Sequence, residues 1–492
     1  MSEPTNAPYA TAKSSHGAAT NESPIESPVA PRLGLWDTVS IIVGVVVGTA
    51  IFRSSTLVFQ SVSSPAGALA VWLLGGFISW CGAVCYAELA ATFPRDGGDY
   101  EYLSRAFGRW CGFLFGWAQL TTVISGNIAI MAYAFSDYAV RLWPQAQHLA
   151  AGFVIAPIVV LSLLNAVGVI AGKATQNLLS VLKVIGLAGV VVAGVWAATS
   201  DSPPLVNIER LPAEPNFGLA LVFVLYAFGG WAHAAYVAAE VRDERRNLPR
   251  ALVLGIVVVT TIYLAVTAAY LAALGIDVAR STPTPAAEVL ELVVGPWGGR
   301  AISLLVMLSA LGAINGMILT GTRIYATLGS DYSAFAWLST WNRRGAAPIA
   351  AIAAQAAVAV LLVLVVGTAK GRNLCDAALL SIGLSELPWH EYFGGFETLV
   401  AGSAPVFWAF FLLTGIAVFV LRIRYADHDR PFKIPFFPLP PIVFCLACTY
   451  MLYSSLDYAR WLTLLGLAPL AFGAILACIL KPTSQPNRDK RV

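Results

Sequence analysis

The chain has 492 residues, of which 58% are hydrophobic and only 12% charged. A water-soluble protein of this length needs far more charge to cover its surface, so the composition excludes a soluble globule and indicates a polytopic membrane protein. The net charge of +3 says little by itself, because the placement of charges matters more than their sum here, and no nucleic-acid partner is expected.

The first thirty residues are rich in Ser, Pro, Ala and Thr and nearly free of large apolar side chains. They bury too little surface to offset the entropy of ordering, and they lack the basic start, apolar core and cleavage site of a signal peptide. Residues 1–33 are therefore expected to be a disordered tail, followed by a transmembrane domain over 34–480 and a short tail at 481–492. Runs long enough to cross roughly 30 Å of hydrocarbon number about twelve. They lie near 36–61, 66–93, 110–140, 152–170, 176–198, 216–240, 249–275, 297–325, 347–367, 397–422, 434–456 and 460–480, with ends uncertain by about four residues. The loop over about 367–397 is long and carries no functional signature.

An even number of spans puts both termini on one side. With both inside, about 21 of the 30 Lys and Arg fall in inside segments and about 7 outside. The inside set includes "RDERRNLPR" (Arg242 to Arg250) and "LRIRYADHDRPFK" (Leu421 to Lys433). The positive-inside bias thus places both termini in the cytoplasm of a multi-pass cell-membrane protein. Glu88, Arg95 and Glu240 then lie at the cytoplasmic face, as solvated charge pairs or as gating pairs.

Two spans carry small residues near their middles. The first reads "IIVGVVVGTAIF", with Gly44, Gly48, Thr49 and Ala50; the sixth reads "LALVFVLYAFGGWAHAAYV", with Gly229 and Gly230. Small residues also let membrane helices pack closely, and either cluster alone would be explained that way. Their recurrence five spans apart is the pattern of an inverted repeat around a central site. Glycine weakens the helix, and unwinding at membrane depth is tolerated only where a cavity or ligand satisfies the freed backbone. N–H groups near Thr49 and Ala50 would open a second half-helix and favour a carboxylate. Carbonyls near Tyr226, Ala227 and Gly229 would accept from an ammonium. A carboxylate site facing an ammonium site selects the backbone of a free amino acid.

Several long motifs, in order, resemble the amino acid–polyamine–organocation superfamily, particularly its bacterial permeases related to L-type amino acid transporters. "VVVGTAIFRS" is similar to the family's first-span glycine motif, and "YAELAATFPRDGGDYEYLSRAFG" to the end of span two and the loop after it. "YAFGGWAHAAYVAAEVRDERRNLPRAL" matches span six, "ALGAINGMILTGTRIYATLGSD" span eight, and "FETLVAGSAPVFWAFFLLTGIAVFVLR" with "RPFKIPFFPLPPIVF" spans ten and eleven. The resemblance implies an all-α fold with a five-plus-five inverted repeat, broken in spans 1 and 6, plus two extra helices. It implies alternating-access transport of amino acids, with a substrate site at Val46, Gly48, Thr49 and Ala50 and at Tyr226, Ala227, Gly229 and Trp231. It also implies that Lys183, in the fifth span, replaces a sodium ion between spans one, five and eight. Animal L-type chains bind a heavy subunit through a cysteine after span three. The loop "RLWPQAQHLAAG" has none, so no disulfide-linked partner is expected. Ala50 stands where the motif has its second glycine, and Ala232 where relatives often have Asn.

Lys183 can either snorkel to the interface or act within its span. His233, just past the sixth-span break, can face substrate or be a packing residue with a satisfied ring. Asn315 can line the lysine site or glue two helices, and Arg53 can cap an outer vestibule. The leading expectation is a sodium-independent carrier of neutral or broad-range L-amino acids, working as an exchanger or linked to protons. A polyamine or cationic amino acid permease is the alternative within transport, and a transporter-like amino acid sensor the alternative outside it. No paired catalytic groups, Walker A motif or metal-ligand spacing occurs, so no enzyme activity, cofactor or metal is expected.

Overall fold

The computed structural model describes residues 32–95, 97–200, 215–282, 284–341, 347–381, 383, 385–387, 389 and 395–483. Most of the expected tails, and the side chain of Arg53, lie outside the described residues. The described chain is helical throughout, with one isolated bridge between Leu33 and Val241.

In chain order, α1 (Leu35–Val46) and α2 (Ala50–Gln60) form the first span, bent by 44° between them. Span two is α3 (Pro65–Thr92), followed by the short α4 (Asp99–Phe107). Span three is α5 (Arg109–Ala118), a π-helical turn at Gln119–Val123, and α6 (Ile124–Leu142). Then come α7 (Ala150–Val167) and α8 (Val169–Thr199). The sixth span is again divided, into α9 (Phe217–Ala227) and the single turn α10 (His233–Tyr236). Span seven is α11 (Glu244–Ser281), and α12 (Pro285–Val294) leads to span eight, α13 (Trp297–Asp331). Span nine is α14 (Ile349–Gly367), and α15 (Ala369–Ser381) occupies much of the long loop before span ten, α16 (Gly395–Arg424). The chain ends with α17 (Leu439–Ala459) and α18 (Leu464–Ile479). Among the described residues, nine helical stretches are long and apolar enough to cross a bilayer. One of them, Leu439–Ile479, contains both α17 and α18. Adding the two broken spans brings the total to the twelve expected.

Packing follows the repeat. The halves of span one lie beside those of span six, α3 packs on α11, α6 on α13, and α7 on α14. Each of the first four spans therefore meets the span five places later, as a pseudo-twofold axis in the membrane plane requires. The last two helices lie outside this relation: α17 packs on α16 and α3, and α18 on α5 and α16.

At the end of the bundle that carries the N-terminus, buried charges tie the elements together. Arg323 on α13 donates through Nε to Glu240 at 2.7 Å, with both side chains buried. Glu88 on α3 accepts from Arg422 Nε on α16 and from the Ile434 N–H, each at 2.7 Å. Leu33 pairs with Val241 through hydrogen bonds of 2.9 Å from the Leu33 N–H to Glu240 and from the Arg242 N–H to Leu33.

Asp99, the first residue of α4, is buried at this junction. Its Oδ1 accepts from the Tyr86 hydroxyl of α3 and the Thr414 hydroxyl of α16. Tyr236 of α10 faces the same carboxylate, and Tyr102 and Glu101 approach it from α4 itself. Burial outweighs these hydroxyl donors and pushes the Asp99 carboxyl up to about 6. An acid whose folded value lies above its unfolded one holds its proton in the fold while the unfolded chain loses it. Stability is therefore lost as pH rises from about 4 to 6, and the loss is complete above that window. Asp99→Asn removes this linkage. Its melting temperature in detergent, relative to the parent chain, is expected to rise between pH 4 and pH 8, and parallel pH profiles would refute the assignment.

Candidate substrate site

The first break lies at Val47, Gly48 and Thr49. Val47 leaves helical geometry at ψ 72°, and α2 restarts at Ala50. The first N–H groups of α2, from Ala50 and Ile51, have no acceptor within their own helix and form the positive end of its dipole. The glycines of this segment do different things. A Cβ on Gly44 would lie 1.8 Å from Gln176 Nε2 and 2.6 Å from Ser180 Oγ, so Gly44 is there for close packing against α8. A Cβ on Gly48 would meet nothing nearer than Met131 Sδ, at 3.5 Å, and that glycine fronts a cavity.

The second break runs from Phe228 to Ala232. Gly230 has φ +107°, and a Cβ there would stand 2.7 Å from Val45 Cγ1 of the first span. The sequence gains its turn and its close approach to α1 at this one residue. Tyr263 of α11 ties the two breaks together. Its hydroxyl lies 3.0 Å from the Val46 carbonyl and 3.0 Å from the Ala227 carbonyl. A phenol has one proton to donate, so it can satisfy only one of these carbonyls at a time. The Val46 carbonyl also accepts from the Gly48 N–H at 2.7 Å, so both carbonyls have a donor when the hydroxyl turns to Ala227, and each keeps a second lone pair between the two broken helices.

Lys183 of α8 is fully buried, and its Nζ donates to the carbonyls of Gly44 (2.8 Å), Val47 (2.7 Å) and Ser309 (3.1 Å). The ammonium thus points inward and spans α1, α8 and α13; it does not snorkel. Two of its three acceptors are carbonyls of the last turn of α1 and the break itself, the negative end of that half-helix.

A cavity of about 100 Å³ lies between the breaks. Val46, Gly48, Thr49, Ala50, Tyr226, Ala227 and Gly229 all line it, and so does His233. Two expected residues do not. Trp231 sits behind the wall, its ring packed against Tyr86 (4.9 Å), Phe411 (5.5 Å) and Phe444 (6.2 Å), and it lines a smaller adjoining cavity. Asn315 is fully buried and accepts from Asn165 at 2.8 Å while donating to Gly172 (3.1 Å) and Gln176 (2.9 Å). It joins α7, α8 and α13, as a residue that glues helices does, and does not line the cavity.

The remaining walls went unnoticed in the sequence. Gln119, Asn127 and Met131 of span three and Ser403, Phe407, Trp408 and Phe411 of span ten all face the cavity. Gln119 opens the π-helical turn, a local widening of the helix that recurs at functional sites. Isolated Gln, Asn and Ser residues inside apolar spans were the available signal.

Two broken spans facing each other across a central cavity, within an inverted repeat, define a secondary transporter. A family model described as amino acid permease matches residues 33–456, and the chain belongs to that family. Among curated relatives, the serine/threonine exchanger SteT of Bacillus subtilis is 27% identical over 86% of this chain and 91% of its own length. The large neutral amino acids transporter small subunit 2 of Homo sapiens is 28% identical over 90% of this chain and 79% of its own. The b(0,+)-type amino acid transporter 1 of Mus musculus is 27% identical over 91% and 87% respectively.

Gly230→Ala places a side chain at positive φ and against Val45, and is expected to cost about 1–3 kcal/mol. Thermal unfolding in detergent reads this as a lowered midpoint; an unchanged midpoint would mean the break is not held as described. Ala50→Val is expected to keep the fold and abolish uptake, by crowding the N–H groups that open α2. Normal uptake by that variant would remove Ala50 from the site.

Proposed function

We propose that the chain is a sodium-independent carrier of free L-amino acids, neutral or broad in range, working by alternating access as an exchanger or a proton-linked carrier. The observation that carries this reading is the pairing of the two breaks. The N–H groups that open α2, without an acceptor in their own helix, suit a carboxylate, and the remaining lone pairs of the Val46 and Ala227 carbonyls beside Tyr263 suit an ammonium. An α-amino acid presents these two charges on one carbon.

The buried Lys183 ammonium supports sodium independence. It already supplies a positive charge to carbonyls of α1 and α13 that would otherwise suit a bound cation. No carboxylate lines the cavity among the described residues, so a cationic side chain would find no counter-charge, which weighs against a polyamine or basic amino acid cargo. Both termini lie in the cytoplasm on this reading, in keeping with the positive-inside bias. No disulfide-linked heavy subunit is required: the segment Pro144–Leu149 after span three carries no cysteine.

The test is uptake of a labelled amino acid panel into proteoliposomes, with and without internal amino acid, sodium and a pH gradient. Uptake without sodium, stimulated by internal amino acid or by the pH gradient, is the expected result. Carriage of polyamines alone would overturn the cargo. Lys183→Ala leaves three carbonyls without their charged donor, and is expected to lower uptake about tenfold or more. Unchanged uptake by this variant without sodium, across pH 5.5 to 8, would refute the coupling role.

A further inference from the structure

On the reading that a free amino acid occupies the cavity, the breaks hold its carboxylate and ammonium, and its side chain faces the remaining walls. His233 belongs to those walls. Its Nδ1 lies 2.7 Å from the Thr320 hydroxyl of α13. A hydroxyl has one proton, and Thr320 donates its own to the Gly316 carbonyl one turn back, at 2.7 Å. Thr320 Oγ1 is therefore an acceptor toward the ring, which puts the imidazole proton on Nδ1 and leaves a lone pair on Nε2.

The ring is also held in place. The Tyr236 ring packs edge-on against it, with centroids 5.0 Å apart. No hydrogen bond from a described residue reaches Nε2, and that atom is not among the sealed, unpartnered polar atoms of the interior. It opens onto the cavity. No Asp or Glu lines the cavity among the described residues, so nothing there balances an imidazolium. The amides of Gln119 and Asn127 also face the cavity, but each carries both donors and acceptors and adapts to either kind of cargo. Ser403 also spends its proton, on the Leu399 carbonyl at 2.7 Å, but among the described residues lining the cavity His233 is the one that offers a ring nitrogen as acceptor.

We infer that His233 is a specificity residue, a fixed hydrogen-bond acceptor for the substrate's side chain, and that the preferred cargo is an amino acid whose side chain carries a hydroxyl or amide donor. An aliphatic side chain of the same shape leaves Nε2 desolvated and unpaired, which is the stronger basis for discrimination. L-threonine and L-valine are nearly isosteric and differ in this one donor.

The test is competition by these two amino acids against the best-carried labelled substrate, in proteoliposomes. The unsubstituted chain is expected to bind threonine about tenfold more tightly than valine. Equal inhibition, or tighter binding of valine, overturns the inference without any variant being made. His233→Phe keeps a ring but removes the acceptor, and is expected to bring the ratio to within about threefold of unity. Thr320→Val releases the tautomer, so that Nε2 can carry the proton, and is expected to narrow the ratio as well. A ratio that survives either substitution in a folded protein overturns the inference. Uptake of amino acids with no threonine preference defeats this inference alone; absence of uptake for every amino acid defeats the backbone reading along with it.

Discussion

Breaking a helix at membrane depth exposes carbonyls and N–H groups where no water meets them, and the whole fold depends on how that deficit is met. Lys183 meets most of it in the first span. Its ammonium takes the Gly44 and Val47 carbonyls on one side and the Ser309 carbonyl on the other, binding three helices from both halves of the repeat. A neutral donor in the same place would be weaker, since charge-assisted hydrogen bonds are roughly twice as strong as neutral ones. The break in span one is thereby made permanent, and with it the two opposed helix ends that face the cavity.

Tyr263 meets the deficit where spans one and six come together. Its hydroxyl reaches the Val46 and Ala227 carbonyls, and the Val46 carbonyl also takes the Gly48 N–H, so its single proton is enough for the junction while each carbonyl keeps a second lone pair. The same logic recurs at Thr320, whose single proton is committed to Gly316 and so dictates which nitrogen of His233 faces the cavity. Polar groups here act through how many protons each can give.

Beyond the Tyr236 wall of the cavity, the end of the bundle that carries Leu33 is closed by buried acidic groups. Glu88, Glu240 and Asp99 are each buried and each joined to another span: Glu88 to α16 through Arg422, Glu240 to α13 through Arg323, and Asp99 to α3 and α16 through the Tyr86 and Thr414 hydroxyls. Elements that must separate if this end opens are thus linked by contacts that lose little when water enters, because each charge can be rehydrated. An apolar seal of the same area would lack that reversibility.

Much of this was legible in the chain itself. Long apolar runs determined a twelve-span membrane protein, because a backbone in lipid must satisfy itself within helices. Small-residue clusters five spans apart determined where two of those helices break, and a lysine inside an apolar span marked the side chain that joins three helices. Tertiary structure decided which side chains the cavity sees. Spans such as α9, α13 and α16 are apolar around nearly their whole circumference, so no periodicity says which face turns inward. The sequence therefore leaves Asn315 between two readings and gives no sign that Ser403 of α16 faces the cavity. Gly44 and Gly48 are chemically identical in the sequence, yet one makes room for α8 and the other for the cavity, because only the neighbouring helices determine what fills the space a missing side chain leaves.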